Sequence, residues 1–139
     1  LSGTIGSILY NQSYDPPKIS IVPLLEKTIE EKGIAAGIAQ YRELKAKQSG
    51  TYDFAEPELN QLAYQLLSAG KMQAAIEIFK LNVEAYPQGF NTYDSLGEAY
   101  MRINDRNLAI ANYKKSLELN PKNTNAVAML KKLETGPER

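Results

Sequence analysis

The sequence predicts an all-α protein built from antiparallel pairs of helices that stack into a solenoid. Three observations lead to this fold class. Residues 56–87 align with residues 90–121 at a constant offset of 34 positions, and a repeat of about this length marks arrays of helical pairs. Apolar residues recur with the period of about 3.6 residues that is typical of an α-helix. Every long segment also has a start and a stop signal for a helix, so we expect no strands.

The aligned residues match in size and chemistry. Small residues face small ones, an aromatic residue faces an aromatic one and proline faces proline. The clearest matches are Ala75 with Ala109, Ile76 with Ile110, Phe79 with Tyr113 and Pro87 with Pro121. Such matching is expected where each repeat buries the same positions against its neighbours.

Residues 1–17 are poorly patterned and are interpreted as a linker or as the end of a preceding domain. One short apolar stripe precedes a run that is rich in turn formers, and Pro16-Pro17 does not permit a helix there. Because the chain begins with Leu1 and not with Met, we expect a domain cut from a longer protein.

Residues 18–49 are predicted to form a degenerate helix pair. Ser20 can cap the first helix, and Pro23 lies in its first turn, where a missing N–H is not required. Gly33 is expected to end this helix in a left-handed backbone conformation. The second helix carries its apolar residues on one stripe. The match to the later repeats needs an offset of 38 rather than 34 positions.

Residues 56–89 are predicted to form the first full repeat, a pair of helices. Pro57 is well placed as a first helical residue, and the helix that it starts is expected to end near Gly70. The partner helix is expected to end before Pro87, because proline removes a backbone donor and disfavours the helix before it.

Residues 90–123 are predicted to form the second full repeat, with Asn91 as the helix cap and a turn at Asn104-Asp105. A single helix over residues 124–135 is then expected to cap the array. Its inward face is predicted to carry Ala126, Val127, Leu130 and Leu133.

The composition limits the chemistry that the chain can perform. It has 16 basic and 16 acidic residues, so no overall charge attracts nucleic acid or an anionic membrane, and no apolar run is long enough to cross a bilayer. The absence of Cys excludes disulfides and a thiol nucleophile, and the absence of His removes the commonest general base and most zinc sites. The sequence therefore predicts no catalysis, no metal site and no cofactor. It leaves the compartment open between cytoplasm and periplasm.

Two short motifs resemble parts of enzyme sites but are better explained by the fold. Ser68 and Lys71 have the spacing of a serine acylase, yet Gly70 ends the helix on which both groups would have to lie. Gly3 and Gly6 lack the preceding strand and the Gly-Lys-Ser/Thr of a phosphate-binding loop.

The two full repeats resemble the tetratricopeptide repeat. The segment from Tyr93 to Tyr100 looks like the first helix of that motif, with Tyr93 where the family most often has Trp. Ala109, Tyr113 and Pro121 complete the pattern. The resemblance implies a right-handed α-α superhelix in which the first helices of successive repeats line a concave groove.

Asn82 and Ser116 depart from the pattern of the resemblance. They occupy the same position in the two repeats, and the family prefers Ala at that position. We regard this as a mild departure.

Peptide binding in the concave groove is the function that the resemblance implies. The side chains that it places there are Asn60, Tyr64, Leu67, Asn91, Asp94, Glu98, Met101, Arg102 and Lys132. Chaperone-binding members of the family use Lys and Asn in this area to clamp a C-terminal carboxylate. This chain has Asp94 and Glu98 in the corresponding area, which argues against that specificity.

The expected partner is a protein or peptide segment, or a neighbouring domain of the same chain. Self-association through the ends of the array is an open alternative. A second resemblance concerns context: the stretch from Pro17 through the repeats is similar to C-terminal tails of bacterial serine hydrolases related to β-lactamases and penicillin-binding proteins. It implies the alternative function of a spacer domain, with catalysis upstream of Leu1.

Overall fold

The structure is a computed structural model in which residues 16–136 are described, and these residues form seven α-helices and two very short strands. The helices are α1 (Val22–Lys32), α2 (Ile34–Lys47), α3 (Glu56–Ser68), α4 (Met72–Ala85), α5 (Phe90–Arg102), α6 (Arg106–Leu119) and α7 (Thr124–Thr135). The prediction of an all-α fold made of antiparallel helix pairs is confirmed. The apolar stripe and most of the linker predicted within residues 1–17 lie outside the described residues.

Glycines and caps mark the helix ends much as the sequence indicated. Gly33 and Gly70 follow α1 and α3 with φ angles of 95° and 78°, a region that a residue without Cβ adopts freely. Asp105 and Asn123 cap α6 and α7 by accepting hydrogen bonds from backbone N–H groups of the first turn, at 3.2 and 3.3 Å. Each cap satisfies a donor that has no partner within its helix.

Each helix packs against its sequence neighbour, and successive pairs stack side by side. α1 packs on α2, α3 on α4 and α5 on α6, while α3 contacts both α1 and α5, and α7 packs on α6. One core runs from α1 to α5, and a smaller cluster forms around Tyr113, Ala126 and Leu130. The first helices of successive pairs therefore lie next to one another, and this arrangement positions the candidate site.

Glycines allow paired helices to approach closely. A Cβ atom at Gly97 would lie 3.1 Å from the ring of Tyr113, and a Cβ atom at Gly37 would collide with Ile29. Ala109, on the helix that pairs with that of Gly97, is fully buried. Larger side chains at these positions would force the paired helices apart.

Asn82 and Ser116 make the same backbone contact in their two repeats. Asn82 Nδ2 donates to the carbonyl of Glu56 at 3.0 Å, and Ser116 Oγ donates to the carbonyl of Phe90 at 2.8 Å. Glu56 and Phe90 are the first residues of α3 and α5. The departure from Ala therefore gives each repeat a hydrogen bond from its second helix to the start of its first.

Two strands of two residues each form a contact that the sequence analysis missed. β1 (Ile19–Ser20) pairs in parallel with β2 (Tyr52–Asp53), and the backbone N–H of Ile19 donates to the carbonyl of Thr51 at 2.9 Å. The expectation of no strands is therefore wrong at this place. The pairing joins distant segments too short to have a period, so no local pattern reports it.

Glu58, in the first turn of α3, ties this region to the start of α1. Its Oε1 accepts hydrogen bonds from the Ser20 hydroxyl at 2.7 Å and from the backbone N–H of Ile21 at 3.0 Å. Ser20 Oγ in turn accepts from the N–H of Val22 at 3.3 Å. Ser20 thus contributes to the start of α1, although the helix begins only at Val22.

Two predictions about the later helices are wrong. α5 begins at Phe90, so Asn91 lies inside the first turn and Gly89 occupies the cap position. Val127 is 51% exposed, whereas Ala126 is buried. α7 packs mainly on α6, so its buried face is narrower than that of a helix with neighbours on both sides.

Candidate functional site

The side chains predicted to line the groove come from the first helices of the two full repeats, α3 and α5, and from the last helix, α7. We call the surface formed by the exposed and half-buried ones the α3/α5/α7 face. Its members are Asn60 and Tyr64 on α3, Asn91, Asp94, Glu98, Met101 and Arg102 on α5, and Lys132 on α7.

Hydrogen bonds between side chains join α3 to α5 across this face. Ser95 Oγ donates to Asn60 Oδ1 at 2.9 Å, and the Tyr64 hydroxyl donates to Glu98 Oε1 at 2.8 Å. The Tyr64 hydroxyl also lies 3.4 Å from Ser95 Oγ. These four side chains therefore form one connected network, which fixes their orientation relative to one another.

The Tyr64 ring is held from the other side as well. It packs edge-on against Phe79, with ring centroids 5.0 Å apart. Burial is the main cause that raises the pKa of Tyr64 to about 12, and the hydrogen bond to the Glu98 carboxylate adds to the rise. The hydroxyl is therefore protonated at neutral pH and remains a donor to Glu98.

Asp94 joins α5 to the start of α7. Its carboxylate accepts from Asn123 Nδ2 at 2.8 Å and from Asn125 Nδ2 at 3.0 and 3.1 Å. Asn123 Nδ2 also donates to Ser116 Oγ at 2.9 Å. The Asp94 carboxylate is therefore held in place by two amide groups from the neighbouring helix and the turn before it.

Glu98 also pairs with a cation on its own helix. Arg102 Nη2 lies 2.9 Å from Glu98 Oε2, one turn away along α5. With Tyr64 on the other oxygen, both oxygens of the Glu98 carboxylate have a donor.

The remaining predicted residues differ in how much surface they offer. Asn91 and Lys132 are exposed, and Met101 is half-buried because it packs against the small cluster around Tyr113. Leu67 is only 2% exposed and belongs to the core, so it cannot line a groove. It lies on the apolar stripe of α3, which faces inward, and this corrects its assignment to the site.

Sequence reasoning missed Ser95 and Asn123, whose hydrogen bonds hold side chains of the face in place. Ser95 is polar, yet it is only 2% exposed and lies beside Leu96 on the buried side of α5. A polar residue within an apolar stripe needs a hydrogen-bond partner. That mismatch was the available signal, although it does not identify Asn60 as the partner.

The described part of the chain offers little for other site types. α3 ends at Ser68, and Gly70 separates it from Lys71, so the two groups do not share a helical turn. No group of three or more His, Cys, Asp or Glu within residues 16–136 is placed to hold a metal ion. Over the same residues, every helix is too short or too polar to cross a membrane.

A cleft of 460 Å³ lies between α2 and α4, away from the α3/α5/α7 face. Its lining includes Tyr41 and Lys45, together with an exposed ion pair in which Arg42 Nη1 is 2.6 Å from Glu84 Oε2. The pairing lowers the pKa of the Glu84 carboxyl and raises that of the Arg42 guanidinium. Exposed pairs of this kind contribute little to stability because water and salt screen them.

Comparison with known proteins assigns the repeat. Residues 90–123 match the family described as tetratricopeptide repeat. No curated protein matches the chain closely enough to count as a relative. Two solved structures share the fold. One is described as "First TPR of Spaghetti (RPAP3) bound to HSP90 peptide SRMEEVD"; it is 18% identical, has a TM-score of 0.57, and the match covers 82% of this chain and 87% of that one.

The other is described as "Crystal structure of MamA". It is 20% identical, has a TM-score of 0.54, and the match covers 78% of this chain and 61% of that one. Residues 90–123 are therefore a tetratricopeptide repeat, and the chain has the fold of a tetratricopeptide-repeat domain. Neither the family match nor these two structures supports the resemblance to tails of serine hydrolases.

Proposed function

From the premise that this is a tetratricopeptide-repeat domain, we propose that it is a non-catalytic module that binds a peptide segment on its α3/α5/α7 face. The observation that carries the proposal is the hydrogen-bond network across the face. Asn60, Tyr64, Ser95 and Glu98 are already oriented by one another, and Asp94 is oriented by the amides before and within α7. A surface whose side chains are ordered beforehand loses less conformational entropy when a ligand binds.

An exposed amide on the face suits an extended peptide. Asn91 is exposed, and its carboxamide offers both a donor and an acceptor to the backbone of a bound segment. Met101 and the ring of Tyr64 are half-buried, so each can add apolar contact to a side chain of the ligand. The segment can belong to another protein or to another part of the same chain.

One structural neighbour is described as holding an acidic HSP90 peptide, and it shares the fold with this chain at low identity. We do not propose the same ligand here. Asp94 places on the α3/α5/α7 face a carboxylate without an ion-pair partner among residues 16–136, and like charges facing each other across an interface oppose binding.

The test is a pair of matched variants. A phage-displayed library of random peptides is selected on the wild-type domain, and the dissociation constant of an enriched peptide is measured by fluorescence anisotropy. Asn91→Arg changes an exposed residue of the face, and Asn107→Arg makes the same change at an exposed position of α6, outside the face. We expect Asn91→Arg to weaken binding about tenfold, which corresponds to about 1.4 kcal/mol, and Asn107→Arg to leave it unchanged.

Two results would contradict the proposal. Equal effects of the two arginine variants would place the peptide elsewhere on the domain. A selection that enriches no peptide sensitive to Asn91→Arg would remove peptide binding on this face altogether.

A further inference from the structure

One carboxylate on the α3/α5/α7 face, that of Asp94, forms no ion pair within 4.0 Å among the described residues. The hydrogen bonds to Asp94 come from the side-chain amides of Asn123 and Asn125, which are neutral donors. The ion pairs formed among residues 16–136 do not include Asp94. Its negative charge is therefore not balanced by an ion pair among these residues.

Glu98 differs from Asp94 in this respect, although the two lie one turn apart on α5. Its Oε1 accepts from the Tyr64 hydroxyl, and its Oε2 is paired with Arg102. The face thus carries one neutralised carboxylate and one that is not neutralised. The unneutralised one is fixed in position by three hydrogen bonds, so an incoming cation does not have to order it.

Neither of the two cations on the face, Arg102 and Lys132, forms an ion pair with Asp94. Arg102 is engaged by Glu98, and the exposed Lys132 on α7 forms no ion pair within 4.0 Å among the described residues. A positively charged side chain of a bound segment would complement Asp94, whereas a segment with clustered carboxylates would be repelled by it.

We propose that Asp94 makes the α3/α5/α7 face selective for segments that present a Lys or Arg side chain. The inference rests on the proposed function, because it specifies which peptide that face accepts. Asp94 acts as the specificity-determining residue, and Asn123 and Asn125 act as positioning residues that hold its carboxylate.

The experiment selects the same random peptide library on three proteins: the wild type, Asp94→Asn and Glu31→Gln. Glu31 is an exposed carboxylate on α1, so Glu31→Gln removes the same charge away from the face. We expect peptides selected on the wild type and on Glu31→Gln to be enriched in Lys and Arg, and peptides selected on Asp94→Asn to lose that enrichment. Thermal unfolding of each variant checks that it is folded.

A second measurement quantifies the contact. One enriched peptide is synthesised with its Lys or Arg and again with Gln in that place. Asp94→Asn should weaken binding of the charged peptide about fivefold, as expected for a partly exposed ion pair, and should leave binding of the Gln peptide unchanged. Ala128→Lys is a further variant, which adds a positive charge at an exposed position of α7 one turn beyond Asn125. It should also reduce the enrichment in Lys and Arg, because the added cation repels a positively charged peptide.

The outcomes separate the two proposals. Equal Lys and Arg enrichment on the wild type and Asp94→Asn, or no coupling between Asp94 and the peptide cation, would overturn the inference. If Asn91→Arg weakens binding of the selected peptides but these peptides are not enriched in Lys or Arg, only the inference is overturned. A selection that yields no peptide sensitive to Asn91→Arg would overturn the proposed function and this inference with it.

Discussion

The contact between α6 and α7 is more polar than the equivalent contact between α4 and α5. In the former, Ser116 Oγ accepts a hydrogen bond from Asn123, which also reaches Asp94. In the latter, Asn82 takes the place of Ser116, but Gly89 stands where Asn123 would be. Asn82 Oδ1 is consequently buried without a hydrogen-bond partner among the described residues.

The comparison shows which hydrogen bond the two repeats share and which one only one of them has. In both repeats the second helix donates a hydrogen bond to the first carbonyl of the repeat, at 3.0 Å from Asn82 and at 2.8 Å from Ser116. The second partner of each side chain depends on the residue seven positions later, which is glycine in one repeat and asparagine in the other. A buried acceptor left without a donor costs about 1–3 kcal/mol, so the α4/α5 contact has stability to gain.

The largest expected effect concerns Gly97, which is equivalent to Ala63 of the earlier repeat. Gly97→Leu should lower the free energy of unfolding by about 1–3 kcal/mol through overpacking. A Cβ atom there already lies 3.1 Å from the ring of Tyr113, which is itself 1% exposed and has no room to move aside. Urea unfolding followed by circular dichroism measures the change.

Gly50→Leu is the matched control for this variant. A Cβ atom at Gly50 has no other atom within 4 Å, so the same substitution should cost little. If Gly97→Leu and Gly50→Leu cost the same, the close contact between α5 and α6 does not contribute to stability in the way described.

A smaller loss is expected when the α6/α7 contact is given the glycine that the α4/α5 contact has. Asn123→Gly removes the donor to Ser116 and Asp94 and the cap of α7, so it should lower the free energy of unfolding by about 1–2 kcal/mol. Asn104→Gly is the control, because Asn104 has a φ of 62° that glycine adopts more readily. An Asn123→Gly protein as stable as Asn104→Gly would contradict the role given to this side chain.

The smallest expected effect is a gain from the reverse exchange. Gly89→Asn would supply the α4/α5 contact with the residue found at the α6/α7 contact, giving Asn82 Oδ1 a donor and α5 a cap. Stability should rise by about 0.5–1 kcal/mol, provided by the cap and the new bond. The flexible Glu56 carboxylate, 2.8 Å from a Cβ atom at Gly89, has to turn away.

Gly50→Asn makes the same exchange in open space and should bring no gain. The measurement is the shift in the midpoint of urea unfolding of each variant relative to the wild type. Destabilisation by Gly89→Asn alone would mean that the two contacts are not interchangeable.

The fold was predictable because each helix carries its own signal. A stripe such as that of α3, with Pro57 at its start and Gly70 after its end, identifies the element without knowledge of the rest of the chain. The pairing of β1 with β2 has no such signal, because two residues are too short to show a period. Val127 was misplaced for a related reason: its exposure depends on how many helices pack beside α7.

The site was less predictable because it depends on contacts between helices. The position of Asp94 on α5 follows from the repeat, but its hydrogen bonds to Asn123 and Asn125 depend on how α7 docks. Ser95 was missed because a serine in an apolar stripe does not state its partner. Leu67 was placed on the face because the stripe of α3 is wide, and only packing decides which edge of it is covered.

The β1–β2 pair alters how the array can come apart. In a linear array each helix pair contacts only its neighbours, so its two helices can separate from the array one at a time. Here Ile19, ahead of α1, is bonded to Thr51, beyond α2, and Glu58 fastens the base of this loop to α3. The two ends of the first helix pair are therefore joined to each other and to α3. We expect α1 and α2 to unfold together as one cooperative unit and not one helix at a time.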